Sequence, residues 1–568
     1  MDSSRDRGEE VPSRRGMGRR GFLSGALGLG ATAALASCGG SPTANVVASC
    51  VAKLNFPANA PPKRPGQIVS KVANTPLAWT EYPKPYVTVP KPPGDGGTVT
   101  TFQILFSSPP EPLKSNPWWQ ELNQRLNVTL QPTLADSPDY ADKLLTLAAS
   151  GSFPDITYVN FNQNGLNNGA GFEKFIAEGA FHDLTSYLSG SGLKQFPNLA
   201  LYPPVTWKGS SFEGKIYGPP YPIQAVNGQL GMYRKDWAKK LGVDNPKNAD
   251  EVMRMFVAFS TEDPNGNGKK TYGLDQLHQS VWNSMFRSPN NWRLNKDGSF
   301  TKDWETDEWR AATSFARELW KKGAFYPDAL TITLNQEESL LTSGVTGFFI
   351  QGGWGYFGNQ PGTLYTLAKE NNPAANLQPW LQPGHDGGKP AIALGSADYG
   401  FGAIPSTIKS EKRIVELLKI MDFMAGPLGS EEFNFMYYGI EGKMFNWVDG
   451  APVSVTNGNQ NWPNGLNYLC GCTEINYFFA NQPGQAQLMQ NWQAKQIELS
   501  IEDPSLGLYS PTWVQQGANL IQMQQSAYNS VVTGNQPLSY IDQQISQWKS
   551  GGGDQSRKEF QKALEKCK

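Results

Sequence analysis

From residue 98 onward the chain alternates extended and helical patterns, and this alternation narrows the available folds more than any other feature. "TVTTFQILFS" (98–107) is dense in β-branched and aromatic residues and reads as a strand. "DYADKLLTLAASG" then sets Leu144, Leu145, Leu147 and Ala148 at helical spacing; Gly151 can end that helix and Pro154 forbids its continuation. "DITYVNF" follows as a strand. Asn248 and Glu251 form a cap for a helix that buries Val252, Met255, Phe256 and Phe259, and a second helix from about Thr306 buries Trp309, Ala312, Ala316, Leu319 and Trp320 before Gly323. "GVTGFFIQGG" and "DYGFGAIP" read as strands, and "IVELLKIMDFMAGP" as a helix. Strands and helices in this order predict an α/β fold of mostly parallel sheets covered by helices. A chain of 568 residues exceeds what one hydrophobic core usually supports, so two lobes are expected.

The N-terminus is an address rather than a fold. Arg19-Arg20-Gly21-Phe22-Leu23 resembles a twin-arginine export motif, and the short Gly/Ala-rich run after it is too weakly apolar for a membrane span. Leu35-Ala36-Ser37-Cys38 resembles a bacterial lipobox, which predicts removal of residues 1–37 and a lipid anchor on Cys38. Residues 38–97, with "PANAPPKRPG" and "YPKPYVTVPKPPGDGG", read as a semi-rigid Pro/Gly-rich tether. Export permits disulfides, yet Cys50, Cys470, Cys472 and Cys567 allow three pairings that spacing does not separate. Cys470-Gly471-Cys472 reads as a structural disulfide or free thiols, since no further Cys or His stands near to complete a metal set.

A formal net charge of −1 offers no basic stripe for nucleic acid. The 17 Trp in a chain that is 12% aromatic point instead to ring-shaped ligands, with core packing as the commoner use of any one ring. In a two-lobed α/β protein the ligand position is the crevice at the carboxyl ends of the strands. Residues just after strands are therefore the candidates: Tyr158 and Asn160, Tyr221, Trp354 and Tyr399. Trp282 and Trp292 join them from a loop-like stretch, and Glu441 from the "GIEG" turn. An aromatic face flanked by polar groups suits a sugar, whose C–H face stacks while its hydroxyls need donors and acceptors. A glycosidase would need two carboxylates flanking one bond, and nothing in the sequence pairs any two. His182, His278 and His385 are scattered, and no H-E-x-x-H, G-x-S-x-G or Walker loop is present. No catalytic constellation emerges, so no catalytic cofactor is expected.

"DPNGNGKK" (263–270) sets Asp263, Asn265 and Asn267 at alternate positions between glycines, as a loop around an oxygen-loving cation begins. The Lys269 carbonyl would be the next ligand, but Leu274 stands where an EF-hand closes with glutamate. The same residues also make a tight turn rich in positive φ.

Taken together, "DYADKLLTLAASGSFPDI", "GKIYGPPYPI", "GMYRKDWAKKLGVDNPKNADEV", "DPNGNGKKTYGL", "LTSGVTGFF", "YYGIEGKMFNW" and "VVTGNQPLSYIDQQISQWKSGGGD" resemble, in order, the landmarks of extracellular solute-binding proteins of ABC importers. The likeness is to the large lipoprotein branch that includes LplA-like and alginate-oligosaccharide-binding proteins. The resemblance implies a two-lobed periplasmic-binding-protein-like (type II) fold whose hinge strands cross near Pro222–Tyr233 and Ala391–Ile404. Lobe 1 would take residues 98–225 and 395–450, and lobe 2 residues 226–394 and 451–568, with the C-terminal helices packing back on both. It implies a monomeric, membrane-anchored receptor that delivers an oligosaccharide to the transmembrane subunits of a permease. An exported glycoside-active enzyme and a peptide receptor are the competing readings. The resemblance further implies a structural Ca2+ at Asp263, Asn265, Asn267 and Lys269. Lys270-Thr271-Tyr272 stand where the family has acidic residues, leaving Asp275 as the substitute ligand.

Overall fold

The computed structural model describes residues 54, 56, 62–105, 108–159, 172–226, 231–350, 363–455, 463, 465–471, 475–480 and 482–567. The signal and Cys38 lie outside them.

Thr98–Leu105 forms the strand expected there, buried along most of its length, which is why it carries apolar residues on both faces. It sits in a five-stranded sheet, between Thr129–Asp136 and Ile156–Val159, both of which run parallel to it. Asp398–Ala403 adds antiparallel to Ile156–Val159, and Pro220–Pro222 closes the edge. A proline-bearing strand fits only such an edge, because Pro has no N–H to give the ladder. The helix Tyr140–Ser150 stops at Gly151, whose φ of +65° an L side chain resists.

The second sheet departs from the parallel pattern expected. Its order is Phe348–Ile350, Gly231–Arg234, Leu377–Pro379, and both pairings are antiparallel. Gly231–Arg234 enters this sheet from the crossing that leaves the first, so it runs against the two strands that flank it. The helices around it begin as the sequence predicts. The Asn248 side chain accepts from the Glu251 N–H at 3.0 Å, and Thr306 caps the helix Asp307–Lys321 at the Trp309 N–H. Val252, Met255, Phe256 and Phe259 are all buried.

Two large apolar clusters result. The first gathers Phe102, Trp118, Tyr158, Trp207, Phe401, Leu417 and Leu469 around the parallel sheet. The second gathers Phe256, Trp282, Trp292, Trp309, Trp380, Tyr528 and Trp548, and draws in the C-terminal helices Pro511–Val532 and Tyr540–Trp548. Trp292 alone meets Phe300, Trp513, Trp548 and Phe560. Tryptophans 118, 207, 237, 282, 292, 304, 309 and 548 are among the largest fully buried side chains. Much of the aromatic excess is therefore core.

The Pro-rich stretch read as a tether is laid into the body from Pro62 onward. Gln67–Ile68 pairs antiparallel with Leu77–Trp79, which pairs in parallel with Asn476–Phe478. Trp79 is 3% exposed and donates from Nε1 to Asn476 at 3.1 Å, and Tyr82 is buried beside it. The Gln490 amide holds the carbonyls of Ile68 and Pro76, while the Glu432 carboxylate accepts from the N–H groups of Thr88 and Val89. Ala78 packs in a separate cluster with Met232, Phe349 and Leu377, and Trp79 in the first, so this strap touches both sides of the molecule. Composition misled because prolines leave carbonyls free as acceptors while the interspersed Trp79, Tyr82 and Tyr86 supply area worth burying.

Replacing Trp79 by Ala should therefore cost about 3–5 kcal/mol of stability, as truncation of a buried Trp does. Urea unfolding checks it: a true spacer residue would leave the midpoint unmoved.

Candidate functional site

The chain leaves the first sheet at Pro222 and joins the second at Gly231, and it returns between Ala393 and Asp398. A third segment not foreseen from sequence, Ser500–Ile501, pairs in parallel with Ile392–Ala393. These segments are bonded to one another. The Gly395 N–H donates to the Ala225 carbonyl at 2.8 Å and the Leu394 N–H to Ile501 at 2.9 Å. The Asn290 amide bridges the carbonyls of Leu394 and Ile501 at 2.8 and 3.0 Å. Val205, Ala225 and Ala397 form a small apolar cluster there. Few bonds and small side chains at the crossings are what hinge bending requires.

Beside the hinge, adjacent strands bring three of the sequence candidates to one region of the first sheet. Tyr158 is fully buried, and its hydroxyl donates to the Tyr399 carbonyl. Its own carbonyl accepts from the Tyr140 hydroxyl. Tyr158 therefore braces Tyr399 rather than offering a face. The brace needs a glycine: a Cβ on Gly400 would lie 2.5 Å from the Tyr158 ring, and φ there is +143°. Tyr399 and Tyr221 are half-buried. The Tyr221 ring meets Tyr468 at 6.2 Å between centroids, and a Cβ on Gly471 would touch it at 2.7 Å. Tyr468 escaped the sequence reading because it follows no strand; Gly471, directly after Tyr468-Leu469-Cys470, was the available signal of close packing.

The other candidates do not join this group. Trp282 and Trp292 are 0% and 1% exposed in the second cluster, because each lies on the inner face of its helix or strand. Neither has a ring face to offer. Glu441 is exposed in a turn between Gly439 and Gly442, both at positive φ. Asn160 and Trp354 lie outside the described residues. Cys470 carries a buried free thiol, pushed up to about 12 by burial, beside the Tyr202 hydroxyl.

A polar cluster that the sequence did not reveal lies in the second lobe. Asp275 is fully buried and its Oδ1 bonds His278 Nε2 and the Gln276 N–H. The Gln276 amide donates to Glu337, in the first turn of the helix Leu334–Thr342. Burial, and then repulsion from Asp275, push the Glu337 carboxyl up to about 7, partly offset by His278 and Gln276. Asp398, where the returning crossing meets the first sheet, is likewise raised to about 7 by burial.

In the loop 263–268 the Asp263 carboxylate accepts from the backbone N–H groups of Gly266, Asn267 and Gly268 at 2.9, 3.2 and 2.9 Å. These bonds, Gly268 foremost, hold its carboxyl below the usual range. Asn265 turns away from the loop: its Oδ1 accepts from Trp237 Nε1 and its amide donates to Gly344. Lys240 donates to the Pro264 carbonyl at 2.8 Å.

The family model for bacterial extracellular solute-binding proteins matches residues 118–427. The chain belongs to that family. Among relatives, this solute-binding protein is 23% identical to the polygalacturonan/rhamnogalacturonan-binding protein YtcQ of Bacillus subtilis (strain 168), over 79% of its own length and 88% of the relative's. Its fold is that of two-lobed solute-binding proteins. It superposes on the alginate-binding protein AlgQ2 without calcium ion with a TM-score of 0.60 at 17% identity, covering 85% of this chain and 100% of that one. An EF-hand mutant of the Streptococcus pneumoniae ABC-transporter substrate-binding protein FusA, in complex with fructo-nystose, gives 0.57 at 14% identity, covering 82% and 99%.

Those two descriptions make calcium the ion to test against the loop, and the residues present do not fit it. Asp263 is the loop's only carboxylate, Asn265 is committed elsewhere, and Thr271 donates to the Phe259 carbonyl. Asp275 is held by His278. Among the described residues no group of three or more His, Cys, Asp or Glu gathers to hold a metal.

Two outcomes follow for the solute-binding protein. Gly400→Ala should lower both stability and ligand affinity by displacing Tyr158, whereas Gly484→Ala, with open space around it, should not; paired melting curves and titrations separate them. Glu337 holds in the folded state a proton that the unfolded chain releases, so stability should fall as pH rises from about 4.5 to about 7 and then level. Glu337→Gln should flatten part of that slope in urea midpoints measured across the window, leaving the share due to Asp398 and Asp422, both raised to about 7 by burial.

Proposed function

We propose that the protein is the substrate-binding component of an ABC importer, capturing an oligosaccharide between its lobes and handing it to the transmembrane subunits of a permease. Family membership carries the reading, and the ligands of similar proteins support it: polygalacturonan and rhamnogalacturonan for one, fructo-nystose for another. The half-buried rings of Tyr221, Tyr399 and Tyr468 beside the hinge supply the stacking surface a sugar needs. Closure is favoured only by the ligand's greater affinity for the closed form. The work is binding, and the protein is not an enzyme. The twin-arginine-type signal and Cys38 support a lipid-anchored receptor on the outer face of the bacterial cytoplasmic membrane, working as a monomer.

A thermal-shift screen of the protein against uronic, fructose-based and other oligosaccharides, monosaccharides and peptides tests it. An oligosaccharide at about 100 times its Kd should add about 2.7 kcal/mol and be recovered intact. Stabilisation by peptides alone, or cleavage of the sugar, overturns the reading in favour of a peptide receptor or an enzyme.

A further inference from the structure

The loop that begins with Asp263 has the glycine spacing of a cation loop without its charges, and a lysine from another element reaches into it. Lys240 ends the helix Lys235–Lys240, and its ammonium donates to the Pro264 carbonyl at 2.8 Å. A Cβ on Gly266 would stand 3.0 Å from that nitrogen, so the ammonium lies against the loop's own backbone. Its charge also helps hold the Asp263 carboxyl ionised. The loop sequence holds one carboxylate against Lys269 and Lys270, and Lys270 donates to the Ser260 carbonyl at 2.6 Å. A divalent ion entering here would meet one carboxylate, an ammonium at the rim, an Asn265 oxygen already accepting from Trp237 and an Asn267 oxygen already accepting from the Lys269 N–H. Hard divalent cations need several free oxygens and a charge surplus of the opposite sign.

We infer that this loop is metal-independent, and that the ammonium of Lys240 takes the structural place of a divalent cation by tying the Asp263 loop to the helix Lys235–Lys240. The exchange has a physical consequence. A tethered lysine is always present at unit local stoichiometry, so the loop's order is uncoupled from the calcium level outside the cell. The tie matters because the same loop anchors Trp237 through Asn265, and Trp237 packs on Phe259 and under Arg234 at the start of the second lobe.

The test needs no sugar and is independent of the transport reading. The full chain is stripped with EDTA and melted with and without millimolar calcium, alongside Lys240→Glu and the double variant Lys240→Glu/Asp263→Asn. Wild type should melt at the same temperature in both conditions and show no calcium heat by calorimetry. Lys240→Glu removes the ammonium, frees the Pro264 carbonyl and adds a second carboxylate, so it should melt lower in EDTA and recover in calcium. The double variant should lose that recovery. A calcium-dependent rise in the wild-type midpoint that Asp263→Asn abolishes would overturn the inference, as would a Lys240→Glu variant that melts like wild type in EDTA and ignores calcium. Folding failure is distinguished by the far-UV spectrum of Lys240→Met, which keeps the stem of the side chain without its charge and should fold.

Discussion

Everything in this molecule hangs on a handful of backbone hydrogen bonds at the crossings between its sheets. Ala225, Leu394, Gly395 and Ile501 exchange N–H and carbonyl groups directly, and the Asn290 amide spans two of the same carbonyls. Each of these bonds pairs a backbone donor with an acceptor where the chain passes between sheets. Hinge bending is absorbed by the torsions of a few such residues between elements. Each side has its own packed core, one around the mixed five-stranded sheet and the other lined with tryptophan.

The strap changes how such a hinge can work. In a molecule whose first ordered residues were a free leash, the lobes would be joined by the crossings alone. Here Ala78 and Trp79, neighbours in one strand, point into different clusters, as alternate residues of a strand must. That strand is further held by Asn476–Phe478 and by the Gln490 amide. The strap is thus a further connection between the two sides, and its buried indole makes it a strong one. A cavity of about 290 Å³ lies along its seam, lined by Arg64, Trp79, Tyr86, Leu201, Leu428 and Asn476.

Charge placement follows the same economy. Asp422 and Glu432 lie buried in the first lobe, where they receive backbone N–H groups from Asn198, Leu199, Thr88 and Val89. Asp275 and Glu337 do comparable duty in the second with His278 and Gln276. Asp422 and Glu337 are raised to about 7 because burial disfavours the anion more than their donors favour it. Perturbed acids here mark positions where chain segments are pinned together, and they are spread over both lobes rather than paired across one bond.

Sequence by itself determined several helices with their caps and three strands of the first sheet, while Thr129–Asp136 and Pro220–Pro222 went unread. Asn248, Thr306 and Gly151 act through groups within a few residues, and hydrophobic spacing reports a face wherever the partner lies. It also carried the family, through motifs long enough to be recognised. Only the tertiary structure decided which aromatics are core and which stand near the hinge, since Trp282 and Tyr221 differ in their neighbours and not in their local pattern. The direction of the second sheet, the burial of the Pro-rich strap and the approach of Lys240 to the Asp263 loop depend on residues 24 to 397 positions apart in sequence. Contacts at such distances are set by how packed elements meet, and no local periodicity records them.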